Sequence, residues 1–192
     1  MNLLKTLGLT AAMTLGLATA ANAVTIFQAN LNEAQEIPTP ANPLGASGVA
    51  TLTLNDAMDR LVIEVTLNGV DLDGAQTADP SDNVTGFHIH RAPRGATGGV
   101  VFGFIGPNSD LNGDLMIDAA AGTVTSAWDL AEGNGTTLAA ELGNLTSRGL
   151  YLNLHTAGSP SGQIRGQVVS APQTLALIAG GLMAVGFIRR SR

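Results

Sequence analysis

The chain is written as short runs of alternating apolar and polar or β-branched residues, punctuated by turn formers, and this rhythm restricts it to an all-β fold. The runs are Thr25 to Leu31, Gly48 to Leu54, Leu61 to Leu67, Val84 to His90, Val100 to Ile105, Gly113 to Ile117, Thr123 to Trp128, Leu150 to His155 and Gln163 to Val169. Between them stand Asn68-Gly69, Asp79-Pro80-Ser81-Asp82, Gly106-Pro107-Asn108 and Gly158-Ser159-Pro160. Short strands at close spacing with strong turn signals predict a Greek-key-like β-sandwich or barrel. One stretch breaks the period: Thr137 to Leu145 carries apolar residues at helical spacing and predicts a short helix before the Tyr151 strand.

Strand parity then sorts the polar residues. Alternate side chains of a strand share a face, so Phe87 and Ile89 point one way while His88 and His90 point the other. The same rule sets Leu150, Leu152 and Leu154 against Tyr151, Asn153 and His155, and Ile164 and Val168 against Gln163, Arg165 and Gln167. With the apolar sets in the core, His88, His90, Asn153, His155, Arg165 and Gln167 fall on non-core faces. The chain has three histidines in all, and all three lie in these motifs. Imidazole suits copper and zinc, so His88, His90 and His155 are candidate ligands if the strands are neighbours. Two other readings stand beside it: a hydrogen-bonded brace in which these side chains tie strands together, and recognition of a ligand or partner by the polar face.

Other motifs carry less. Asp110-Leu111-Asn112-Gly113-Asp114 imitates the start of a calcium loop, but Leu115 occupies the place that needs glycine and Ala121 the place that needs glutamate, which leaves an acidic turn. The chain contains no nucleophile elbow and no phosphate-binding glycine loop. Trp128, the sole tryptophan, is expected in the core. The absence of a complete catalytic set argues for a binding module over an enzyme.

The two ends read as targeting segments. Lys5, the apolar stretch Leu7 to Ala18 and Ala21-Asn22-Ala23 form an export signal with a small-x-small cleavage site, giving a signal peptide over residues 1–23. At the other end, residues 174–188 are apolar all round and residues 189–192 are basic. That run is short for a span, since a bilayer takes about 20 residues, yet it lacks the polar stripe of a packed helix. A C-terminal transmembrane helix with its arginines left in the cytoplasm is expected; a core helix and a glycolipid-anchor tail are the alternatives. No cysteine is present, so disulfides cannot stabilise this exported chain. Five arginines, no lysine and all fifteen acidic residues fall between Val24 and Ala171, and five against fifteen leaves −10. Such a surface repels nucleic acid.

Three resemblances are specific enough to name. Residues 171–192, with Ala171-Pro172-Gln173-Thr174-Leu175-Ala176-Leu177, a Gly/Leu-rich span and terminal arginines, are similar to the bacterial PEP-CTERM sorting tail; this implies membrane targeting and processing by an exosortase-type enzyme. The Pro-Glu-Pro of that motif reads Pro172-Gln173-Thr174 here. Residues 24–170 resemble the CHRD family. The match runs through Phe27-Gln28-Ala29-Asn30-Leu31, Glu33-Ala34-Gln35-Glu36-Ile37-Pro38, Gly48 to Leu54, Phe87-His88-Ile89-His90, Tyr151-Leu152-Asn153-Leu154-His155-Thr156 and Gly162-Gln163-Ile164-Arg165-Gly166-Gln167. It implies an exported cell-envelope or extracellular module; beside it, parity and the brace reading make Glu36, Asn153, Arg165 and Gln167 polar-face or binding residues, and the lack of a catalytic set makes a matrix component, a protein or a metal ion the expected ligand. Finally, Gly86-Phe87-His88-Ile89-His90 is similar to the Gly-Phe-His-x-His signature of copper/zinc superoxide dismutases. With three histidines and no cysteine, that resemblance implies at most a mononuclear copper or zinc site at His88, His90 and His155.

Overall fold

Nearly every alternating run is a strand in the computed structural model, which describes residues 24–129 and 131–171. In chain order the elements are β1 (Thr25–Asn32), β2 (Ser47–Leu54), β3 (Leu61–Asn68), β4 (Val84–Arg91), β5 (Val100–Ile105), β6 (Met116–Asp118), β7 (Thr123–Trp128), α1 (Leu138–Thr146), β8 (Leu150–Thr156), β9 (Ile164–Gln167) and β10 (Val169–Ser170). Two runs differ from expectation. Within Gly113 to Ile117 only the last residues reach β6, because the Asp110 carboxylate accepts from the N–H groups of Asn112, Gly113 and Leu115 and closes a turn first. The run Gln163 to Val169 divides at Val168: β9 lies between β8 and β1, and β10 pairs with β1 alone.

The strands form one antiparallel sheet in the order β5-β4-β8-β9-β1-β2-β3-β7-β6, with β10 also on β1. The expected sandwich or barrel is therefore a single sheet curled over one core. Phe102 of β5 stacks on Trp128 of β7 with centroids 5.1 Å apart, although these strands lie near opposite ends of the sheet. Trp128 is fully buried, as expected, and its indole N–H donates to Glu132 O. The predicted helix is present, capped by the Thr137 hydroxyl, which accepts from Ala140 N, and it sends Leu138 and Leu145 into the core.

Along β3 burial alternates strictly, with Leu61, Ile63, Val65 and Leu67 inward. Strands β4, β8 and β9 are buried on both faces. Their apolar face lines the core; their polar face is covered by the segment 92–99 and by loops around Asn42 and Pro160. The expected signal peptide, residues 1–23, and the expected membrane span, residues 174–188, lie outside the described residues. Among the described residues no helix is long and apolar enough to cross a membrane.

A candidate three-histidine metal centre

Register brings the polar residues together. Across β4 and β8, Gly86 pairs with His155, His88 with Asn153 and His90 with Tyr151; across β8 and β9, Asn153 pairs with Arg165 and Tyr151 with Gln167. All the strand residues singled out by parity thus share one face of three adjacent strands. That face is largely a second interior rather than a surface: His88 is 6% exposed, Asn153 4%, Arg165 2% and Gln167 5%, with His155 half-buried at its edge.

The imidazoles converge. Ring centroids are 5.0 Å apart for His88 and His155, 5.5 Å for His88 and His90, and 6.1 Å for His90 and His155. Each ring is held through one nitrogen by a backbone carbonyl: His88 Nε2 by Gly106 O at 3.1 Å, His90 Nδ1 by Gly98 O at 2.9 Å, and His155 Nδ1 by Pro160 O at 3.0 Å. A carbonyl only accepts, so the bonded nitrogen carries the proton. Burial keeps the rings neutral by pushing all three pKa values below the usual imidazole range, that of His90 to about 4. The other nitrogens, His88 Nδ1, His90 Nε2 and His155 Nε2, therefore present lone pairs, and all are buried without a partner. One ligand atom from each ring lies within 4.8 Å of those of the other two. A tetrahedral ion with Zn–N near 2.1 Å sets its nitrogens about 3.4 Å apart, so the rings would draw closer around an ion.

The brace reading and the metal reading, which the sequence sets as alternatives, are compatible in this geometry. Each ring is braced through one nitrogen and left free at the other, the arrangement by which metal-binding histidines are usually oriented. Glycines make room for it. A Cβ at Gly86 would come within 2.9 Å of His88 Cε1 and 3.4 Å of His155 Cδ2, and one at Gly103 would meet Pro107 O at 2.1 Å, displacing the loop that supplies the Gly106 carbonyl.

The remaining candidates surround this centre. Glu36 is 4% exposed, and burial raises its carboxyl pKa to about 7 against the Ile37 N–H, the Arg165 charge and the Asn153 amide. Arg165 lies over the Tyr151 ring, its Cζ 3.4 Å from the centroid, and donates from Nη2 to Ala96 O at 2.6 Å. Gln167 donates to the carbonyls of Ala92, Arg148 and Leu150. Sequence reasoning missed Tyr151 as a member of the site. Its ring stacks on His90 at 5.0 Å and 15°, and its hydroxyl accepts from Gly98 N. It also missed the three carbonyls, of which the turns Gly106-Pro107-Asn108 and Gly158-Ser159-Pro160 mark two only as chain reversals.

A family profile described as "CHRD domain" matches residues 27–168, which includes every residue of the centre. No curated protein and no solved structure matches the chain.

Proposed function

This chain belongs to the CHRD domain family, and from that premise we propose an exported envelope or extracellular module that binds one zinc or copper ion through His88, His90 and His155. The observation that carries this reading is the set of three buried ring nitrogens, each with its tautomer fixed by a carbonyl and its lone pair unpartnered. Leaving a buried polar atom unpaired costs about 1–3 kcal/mol. One cation offsets that cost at all three nitrogens. The donors are imidazoles without thiolate, which suits zinc and copper and disfavours calcium and magnesium.

Within this reading the protein side is a preformed holder. Gly98, Gly106 and Pro160 fix the ring orientations, the segment 92–99 keeps water out, and the bound ion would tie β4 to β8. We read the module as a binding or matrix protein rather than an enzyme. Residues 1–23 export it, residues 174–188 hold it at the membrane with the terminal arginines inside, and an exosortase-type enzyme acts on the tail; the support for these steps is the sequence pattern. The expected result of metal analysis is one zinc or copper per chain. His88→Ala should weaken binding by more than the roughly 10–100-fold that loss of an outer-shell partner costs. A metal-free protein whose melting temperature ignores added zinc and copper would overturn the reading.

A further inference from the structure

Three imidazoles leave a tetrahedral ion one donor short. We propose that Asn153 supplies it through Oδ1, so that the ion is enclosed by three nitrogens and one amide oxygen with no exchangeable position. This inference rests on the metal reading above.

Four observations carry it. Asn153 lies directly opposite His88 across β4 and β8, two residues from His155 on the same face of β8, and diagonal to His90. Directly opposed Cβ atoms stand about 4.5–5.5 Å apart, which puts the root of Asn153 among all three rings. The second observation concerns height. His88 offers Nδ1, the ring nitrogen nearer the backbone, so the shared point lies low over the sheet, where a short amide side chain reaches. Third, Oδ1 of Asn153 is buried with no partner in a residue only 4% exposed, whereas buried carbonyls are almost always bonded. Fourth, the Asn153 amide lies close enough to the Glu36 carboxyl to favour its charged form, and that carboxyl is packed where a Cβ on Gly162 would meet Glu36 Cδ at 2.4 Å. With its nitrogen turned to Glu36, the amide would turn its oxygen toward the histidines. Gln167 Oε1, the other unpartnered amide oxygen on this face, belongs to a residue that stands opposite Tyr151 rather than a histidine.

A closed four-donor set is the mark of a structural centre. In an exported chain without cysteine, the ion would serve where other small exported domains use disulfides.

The test is to load the full chain with cobalt(II), a spectroscopic substitute for zinc, and to titrate it with azide. The wild-type spectrum should be four-coordinate and unmoved by azide. Asn153→Ala should bind cobalt at least 10-fold more weakly and acquire an azide-dependent band, and Asn153→Asp should restore the closed spectrum. Azide that shifts the wild-type spectrum overturns the assignment without recourse to any variant. A chain that takes up neither cobalt nor zinc overturns the metal reading and this inference with it; uptake together with azide binding overturns the Asn153 role alone.

Discussion

At the scale of single residues, the centre depends on which nitrogen of each ring is protonated, and backbone carbonyls decide that. The same burial that frees the lone pairs makes the metal-free protein sensitive to acid. Because the folded-state pKa values of His88, His90 and His155 are depressed, their contribution to stability is complete above about 6.5 and is lost as pH falls through those lowered values, about 4 for His90. Glu36 acts oppositely. Its pKa is raised to about 7, so its contribution is complete below 4.5 and is lost as pH rises toward 7. Three groups outweigh one, and the melting temperature of the metal-free protein should fall between pH 6.5 and pH 4; a rise over that interval would mean that Glu36 dominates or that the rings are charged in the fold. Sterics give a separate expectation. Gly86→Ala forces a Cβ to within 2.9 Å of His88 Cε1, so metal affinity measured by titration should drop by about 10-fold or more while far-ultraviolet dichroism stays that of a β protein.

At the scale of elements, the polar face of β4, β8 and β9 is closed by the strap 92–99. His90 donates to Gly98 O, Tyr151 accepts from Gly98 N, Arg165 donates to Ala96 O, and Gln167 donates to Ala92 O. Arg165 joins two of these contacts, since its guanidinium also lies on the Tyr151 ring that packs against His90. Arg165→Ala should therefore destabilise the protein by about 1–3 kcal/mol, the cost of leaving buried acceptors unpaired; an unchanged melting curve would show that the strap is held without it. The face residues were legible in the sequence because a period of two needs only local pattern, and the parity of β4, β8 and β9 follows directly from Phe87, Ile89, the leucines of β8 and Ile164. Their adjacency was not legible. The pairing of β4 with β8 joins segments separated by three strands and a helix, and no local feature encodes it. The burial of that face was also hidden, because it is produced by loops whose own sequences, such as Arg94-Gly95-Ala96-Thr97-Gly98, read only as polar turns. The division of Gln163 to Val169 at Val168 was missed for the same reason: alternation continues across it while the pairing with β8 ends and that with β1 goes on.

At the scale of the whole molecule, the apolar core runs from Phe27 to Val168, and the last described backbone contact joins it to the first strand. Ser170 pairs with Phe27, and Ala171 N donates to Ile26 O. Among the described residues the inner layer is closed by the indole of Trp128 and the ring of Phe102, which meet across the curl of the sheet. On the proposed anchor reading the apolar run 174–188 adds nothing to that layer. Deleting residues 174–192 should then release soluble protein outside the inner membrane, with a melting temperature and a metal affinity equal to those of the full chain. These two readouts separate the possible outcomes. Retained metal affinity in a released protein assigns the run to anchoring. Recovery of the truncated chain only as aggregate would make the run part of the fold, and the anchor would have to be abandoned, because a curled sheet left with an uncovered apolar face associates through it.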